Sequence, residues 1–489
     1  MKRPLLSYSL VTLICGLGIL AVLYLGRHTT GGKMGAAAVS AAGTQAAHMA
    51  VTGGNSALEA FQTNLTQSLS EPLGRLFLQL IVVIVATRLA GMLARKVGQP
   101  AVIGEMVAGI LLGPSLFGWL APDVFAFVFP ASSLGVLRLL SQIGVCLFMF
   151  VVGMEVDWDQ LRGRAQTAVA ISHIGIIFPY LLGVLAAVLL FSHYGGAGTR
   201  FVPFALFMGI AMSITAFPVL ARILIERGLE KTALGSMAIT AAAIDDVSAW
   251  CILALVVTVA RAGELAAVGI NLVVVILFVA LMVAVISRFT PRFIRPGTKG
   301  QGGNTGLAAA LVFLLSASLI TEVIGIHSLF GAFLSGVIMP RDKEWRHNLT
   351  VRIESFSSMC LLPLFFVFTG LRTQIGLVSG LNSWLVCLAI IGLATLGKLG
   401  GAMFTARFSG LSWPTSFALG ALMNTRGLME LIALNIGYDL GIIGPEIFAI
   451  MVIMALVTTI MTGPLLSLSQ RFERVSVSKS EPVSPVLRA

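Results

Sequence analysis

Two adjacent carboxylates, Asp245 and Asp246, lie inside a segment that otherwise reads as a membrane-spanning helix, "GSMAITAAAIDDVSAWCILALVVTVA". The stretch from Gly235 to Ala260 carries no other charged side chain. Ten residues in from its near end, at about 1.5 Å per residue, places the pair roughly 15 Å deep. That is close to the centre of a hydrocarbon layer about 30 Å thick. An ionised Asp there costs about 2.5–3.5 kcal/mol on insertion scales, and two side by side repel each other. A pathway, a counter-ion or a bound cation must offset that cost, so the pair points to a proton or cation site in a transporter.

Other polar residues interrupt apolar runs in the same way. Lys398, in "LATLGKLGGAMF", lies in mid-segment, too deep to snorkel easily. It pairs with one of the aspartates, or else pairs elsewhere or reaches a cavity. "MSITAFPVLAR" sets Ser213 and Thr215 just before Phe217-Pro218. Proline removes a donor and strains the preceding turn, which frees carbonyls and hydroxyls for a cation. A comparable polar interruption, Asn424, Thr425, Arg426 and Gly427, falls in "GALMNTRGLMELIALNIG". Arg426 and Glu430 stand at i and i+4, a spacing at which they neutralise each other on one helix face. His173 and His327 read as packed or hydrogen-bonded, and Glu105 as opening a short helix that it caps or as bonding its neighbours.

The elements that must position these groups follow from composition. Of 489 residues, 57% are hydrophobic and 11% charged, against about 25% charged in soluble domains. The class is therefore an all-α polytopic membrane protein, with 52 glycines suited to close helix packing. The net charge of +11 sits in alternate loops and not in a stripe interleaved with aromatics, which argues against nucleic acid as a partner. The five cysteines lie far apart in apolar segments without metal-ligand spacing, and nothing implies a cofactor or an enzyme.

Fourteen apolar segments can be marked. The first, within residues 1–26, is a signal peptide or an anchor helix, followed by a polar extracytoplasmic linker over 27–72. Thirteen core segments fill 73–468: 73–94, 101–119, 134–154, 167–191, 201–224, 235–260, 267–287, 306–322, 327–340, 356–371, 383–405, 415–437 and 446–468. Residues 469–489 form a short tail. One set of alternate loops is rich in basic residues, among them Arg95, Lys96, Arg227, Lys231, Arg346 and Arg407, whereas the opposite set holds Arg200, Arg261 and Arg372. The positive-inside bias places the C terminus in the cytoplasm.

An internal echo organises the core. "GEMVAGILLGP" (104–114) resembles "GAFLSGVIMP" (331–340), and "LFMFVVGMEV" (147–156) resembles "LFFVFTGLRT" (364–373), aligning Gly153 with Gly370. Six helices, a linker helix and six helices form an inverted repeat with two crossed discontinuous helices, an arrangement that builds its site near the midplane from broken turns.

These strings, with "QPAVIGEMVAGILLGPS", "SITAFPVLARIL", "AAAIDDVSAW" and "NTRGLMELIALNIG", resemble monovalent cation:proton antiporters. The resemblance lies nearest the branch holding the plant cation/proton exchangers and the bacterial sodium/proton exchangers, and covers about 73–468. It implies that Asp246 alternately holds a cation and a proton, that Asp245 pairs with Lys398 when the cation is absent, and that Thr215 and the broken turns flank the site. It further implies a homodimer in membrane lipid, in which a core bundle moves against a dimerisation bundle, at the plasma (inner) membrane. Related potassium-efflux antiporters carry a cytoplasmic nucleotide-binding regulatory domain after the last helix; with only the short tail 469–489 following the last apolar segment here, that form of regulation is not expected. Both aspartates together with the lysine resemble the charge-moving, two-proton exchangers.

The same residues bear on other classes. An intramembrane aspartyl protease needs carboxylates facing each other from two helices, whereas adjacent residues on one helix diverge by about 100°. A cation channel, or a sodium-coupled symporter of the same fold, stays open as an alternative. Nothing in the site residues separates Na⁺ from K⁺.

Overall fold

The computed structural model describes residues 64, 67–155, 165–195, 198–229, 231–261, 265–293, 303–325, 327–340 and 342–480. The N-terminal signal or anchor segment at 1–26, and the linker over 27–72 save for residues 64 and 67–72, lie outside the described residues, as do residues 481–489 of the tail.

The described chain is helical. In order, the main helices are α1 Pro72–Lys96, α2 Ala101–Leu112, α3 Leu134–Glu155, α4 Ala165–Tyr194, α5 Phe201–Ala211, α6 Phe217–Glu226, α7 Ala233–Arg261, α8 Leu265–Ala280, α9 Gly303–Ile324, α10 Ser328–Val337, α11 Lys343–Phe356, α12 Leu362–Arg372, α13 Gly380–Thr395, α14 Gly401–Phe408, α15 Trp413–Met423, α16 Leu428–Asp439 and α17 Pro445–Ser480. Proline in the first turn starts α1, α6, α12 and α15, where its missing N–H is not needed. Ser412 caps α15 through the Thr415 N–H, and Asp342 caps α11 through the Trp345 N–H.

All thirteen apolar segments coincide with helix, but not all are single crossings. Among the described residues, ten helices are long and apolar enough to span a membrane, and the pair α15 and α16, bent by 42°, raises the number to eleven. Segment 201–224 falls short because residues 212–216 split it, and segment 327–340 because only Ser328–Val337 is an apolar helix of ten residues. The final helix continues past residue 468 to Ser480, since "SLSQRFERVSVSKS" contains no Gly or Pro to stop it.

Glycines set how closely the helices approach. A Cβ at Gly109 would strike the Phe366 carbonyl oxygen, and one at Gly370 the backbone of Gly109, so α2 and α12 pack backbone to backbone. In the same manner Gly153 of α3 meets the Phe333 carbonyl of α10, while Gly336 meets that of Phe150. Gly104 abuts the Ala90 carbonyl and Gly331 that of Ala317. These seams bind α1, α2, α3, α9, α10 and α12 into one bundle. A second bundle joins α4 to α7 with α13 to α17, where a Cβ at Gly183 would lie 2.6 Å from the Met208 oxygen and one at Gly420 2.6 Å from that of Leu399. Large apolar side chains such as Leu189 and Val323 cover the exterior, about four-fifths exposed at 80% and 79%, as lipid-facing positions require.

Candidate functional site

The second bundle is interrupted twice, and the interruptions touch. After α5 the chain leaves helical geometry over residues 212–216, and α6 restarts at Phe217 with Pro218 in its first turn, where a proline fits without a lost hydrogen bond. After α15 it breaks over Asn424–Gly427, with Gly427 at φ +148°, a conformation suited to glycine. The Ala216 N–H donates to the Thr425 carbonyl at 2.9 Å, and the Thr215 hydroxyl to the Met423 carbonyl at 3.1 Å. Two helix C-termini (α5, α15) and two N-termini (α6, α16) therefore converge in one layer, bringing partial charges of both signs.

Asp245 and Asp246 enter this layer from α7, both buried. Asp245 is fully engaged. Its Oδ1 accepts from Lys398 Nζ at 2.8 Å, and its Oδ2 from the Thr215 backbone N–H at 3.0 Å. Lys398 stands in a π-helical turn, Leu396–Gly400, a local distortion frequent at functional positions. It also donates to the Ser213 carbonyl, while the Ser213 hydroxyl donates to the Gly209 carbonyl at 2.7 Å. Asp246 differs sharply, since neither of its buried carboxylate oxygens meets hydrogen-bond geometry with any partner, the Phe217 backbone at the start of α6 being the group that approaches it. Both side-chain atoms of the Asn424 amide are likewise buried and unpartnered. Buried polar groups of this kind are rarely left unsatisfied.

Arg426 holds the crossing together. Its guanidinium donates to the carbonyls of Ala211 at 3.0 Å and Met212 at 2.5 Å, satisfying the end of α5. It also pairs with Glu430 Oε2 at 3.2 Å, both side chains being fully buried. Its own backbone N–H donates to the Thr459 hydroxyl at 3.2 Å, and Thr425 donates to Thr462 at 3.3 Å.

The structure thus brings together Asp245, Lys398, Ser213 and Thr215, sets Asp246 beside them on α7, and pairs Arg426 with Glu430. Asn424 follows directly on the Met423 carbonyl that Thr215 bonds. Glu105 does not open its helix. It lies buried in the second turn of α2, which starts at Ala101 without a side-chain cap. His327 accepts from the Leu329 N–H at 3.4 Å and caps α10, and His173 bonds the Val169 carbonyl at 2.9 Å. The threonines of α17 were not among the expected site residues, although "VTTIMTGP" shows three hydroxyls on an apolar helix. Among the described residues, no three His, Cys, Asp or Glu side chains cluster as a transition-metal site would require.

Residues 81–468 match the model of the sodium/hydrogen exchanger transmembrane family. A Na⁺/H⁺ antiporter of Synechocystis is 43% identical over 388 residues, 79% of this chain and 95% of the relative. Cation/H⁺ antiporter 17 of Arabidopsis thaliana is 41% identical over 81% of this chain, and K⁺/H⁺ antiporter 1 of Saccharomyces cerevisiae 32% over 82%. The chain spans about half the length of those two, 48% and 47%. The fold is similar to that of a sodium proton antiporter from Methanocaldococcus jannaschii, with a TM-score of 0.59 at 16% identity over 81% of this chain and 99% of the other.

Proposed function

The chain belongs to the sodium/hydrogen exchanger family, and from that premise we propose that it exchanges a monovalent cation, Na⁺ or K⁺, for protons across the membrane. The observation that carries this reading is the inequality of the two aspartates. Asp245 is tied to Lys398 and to the Thr215 N–H, while the carboxylate of Asp246 is buried without a partner. A dehydrated monovalent cation needs several oxygens, and Asp246, the amide oxygen of Asn424 and the carbonyls and hydroxyls freed at residues 213–215 supply that chemistry. A proton competes for the same carboxylate. Coupled exchange follows when the site crosses only in its cation-loaded or proton-loaded form.

Alternating access is the movement that fits two bundles stitched internally by glycine seams. The second bundle carries the site, and the first serves as scaffold and dimer contact. Support for an inverted repeat of six helices, a linker and six helices comes from the matched contacts: Gly104 and Gly331 each meet an alanine carbonyl on the preceding helix, while the pairings of α2 with α12 and of α10 with α3 exchange the two halves. The bias of basic residues to alternate loops supports a cytoplasmic C terminus, and the plasma (inner) membrane is the setting we assign. The names of the relatives include both sodium and potassium exchangers, so the choice of cation belongs to measurement.

The test uses everted vesicles containing the full chain and a pH-sensitive dye. Adding Na⁺, K⁺ or Li⁺ should dissipate an imposed proton gradient, and Asp246→Asn should abolish the effect. Cation flux without proton movement would identify a channel instead.

A further inference from the structure

Asp439, the last residue of α16, receives two arginines from the other bundle. Arg372, at the end of α12, reaches Oδ1 at 2.7 Å, and Arg138 of α3 reaches Oδ2 at 3.0 Å. A polar ladder continues inward on the same face. Arg372 donates to Asn435 Oδ1 at 3.1 Å, and Asn435 donates to the Thr369 hydroxyl at 2.8 Å. The Arg372 guanidinium also lies over the Phe368 ring, 4.3 Å from its centroid. Every one of these links except the ring contact joins α16 to α3 or α12.

This junction is made differently from the rest of the packing. The close glycine approaches lie within one bundle or the other, whereas α16 meets α12 and α3 through long side chains. Backbone seams cannot part without losing many contacts at once, but side-chain ion pairs can. The pairs are also reached by water: Arg138 is 44% exposed, Asp439 22% and Arg372 17%. Pairs of that exposure hold with modest strength. Behind them opens a cleft between the bundles, lined by Ser141, Val145, His327, Phe365 and Ile432. Ile432 lies on α16 two residues beyond Glu430 and is 2% exposed.

We infer that Asp439, clasped by Arg138 and Arg372, is a latch that closes the cleft at this end of the bundles and must release for α16 to move against α3 and α12. On the orientation proposed above, that end is the extracytoplasmic mouth. The inference rests on the exchange reading for its purpose, because a latch is needed only if the second bundle moves. Asp439 is in this sense a positioning residue, remote from the cation-binding carboxylate.

Thiol accessibility tests it. In the full chain with its five cysteines replaced, Ile432→Cys is labelled with a water-soluble maleimide. Adding Asp439→Ala should raise the labelling rate about tenfold, equivalent to about 1.4 kcal/mol, and Arg138→Ala should raise it by a smaller factor. Asp439→Glu keeps both ion pairs and should return the rate to that of Ile432→Cys alone, which a merely disordered helix end would not do. Unchanged labelling in Asp439→Ala overturns the latch. If that variant does not fold, Arg138→Ala decides, with unchanged labelling again overturning it. Dye-monitored exchange by the unmodified chain is run beside it: its absence sinks the antiport reading, while normal exchange with unchanged labelling sinks the latch alone.

Discussion

The ammonium of Lys398 lies 2.8 Å from Asp245 Oδ1, with both side chains fully buried. The pair is joined across 153 positions of sequence, yet the aspartate next to it on α7 makes no hydrogen bond. Breaking a buried pair by removing one partner typically costs 3–5 kcal/mol, because an uncompensated charge remains. Lys398→Ala should therefore destabilise the folded protein by about that amount, seen as a large fall in detergent melting temperature. Asp245→Asn added to it should recover most of the loss. Equal destabilisation in the single and double variants would contradict the pairing.

Asp246→Asn should behave in the opposite sense for stability. Its carboxylate has no partner to lose, and the amide removes any buried charge while keeping the shape. Exchange should vanish while the melting temperature stays the same or rises. A marked drop in melting temperature would mean that Asp246 carries structure as well.

The contrast between polar residue and apolar segment made this site readable. Asp245, Asp246, Lys398, Arg426 and Glu430 each stand out against a hydrocarbon-compatible background, and Pro218 and Gly427 marked the breaks. The inequality of the aspartates was not readable from their spacing. Adjacent positions fix only a divergence of about 100°, and the family resemblance had to assign the roles. The trio of Arg138, Arg372 and Asp439 left no signal at all, since charges at helix ends are ordinary and the three are far apart in sequence. The crossing count was obscured for another reason: an apolar run reports composition, not whether its backbone stays helical through residues 212–216.

Arg426 should not be replaceable by lysine. Its guanidinium serves the Ala211 and Met212 carbonyls and Glu430 together, a fork that a single ammonium cannot reproduce. Arg426→Lys should lower stability by about 1–3 kcal/mol, and Arg426→Ala by more, because the carbonyls at the end of α5 and Glu430 are then both left buried without partners. Thermal unfolding of the purified variants checks the order. A lysine variant as stable as the unmodified chain would refute it.

Gly427→Ala tests the second break by itself. The backbone there has φ +148°, and an added Cβ would come 3.1 Å from Val219 Cγ2. A side chain in that conformation costs on the order of 1–3 kcal/mol, so the chain should relieve the strain by shifting residues 424–427. Because Thr425 accepts from the Ala216 N–H, the shift would disturb both crossed segments. Exchange should fall at least severalfold under saturating cation, while expression changes less. Full activity would show that the crossing tolerates a wider geometry than its contacts suggest.

Competition between cation and proton at one carboxylate has a definite pH signature. On the proposed exchange at Asp246, only the ionised form binds the cation, so the apparent affinity should weaken as protons occupy that carboxylate. With a single competing proton, the apparent KM should rise by up to about tenfold for each unit of falling pH once the protonated form dominates, and level off where the ionised form dominates. The maximal rate need not follow the same course, because the proton-loaded form is also required for the return step. Measuring KM and maximal rate separately over a pH series in proteoliposomes distinguishes this from an effect of pH on folding, which would lower the rate at every cation concentration. A KM independent of pH throughout would remove Asp246 as the shared site, even if exchange itself were observed.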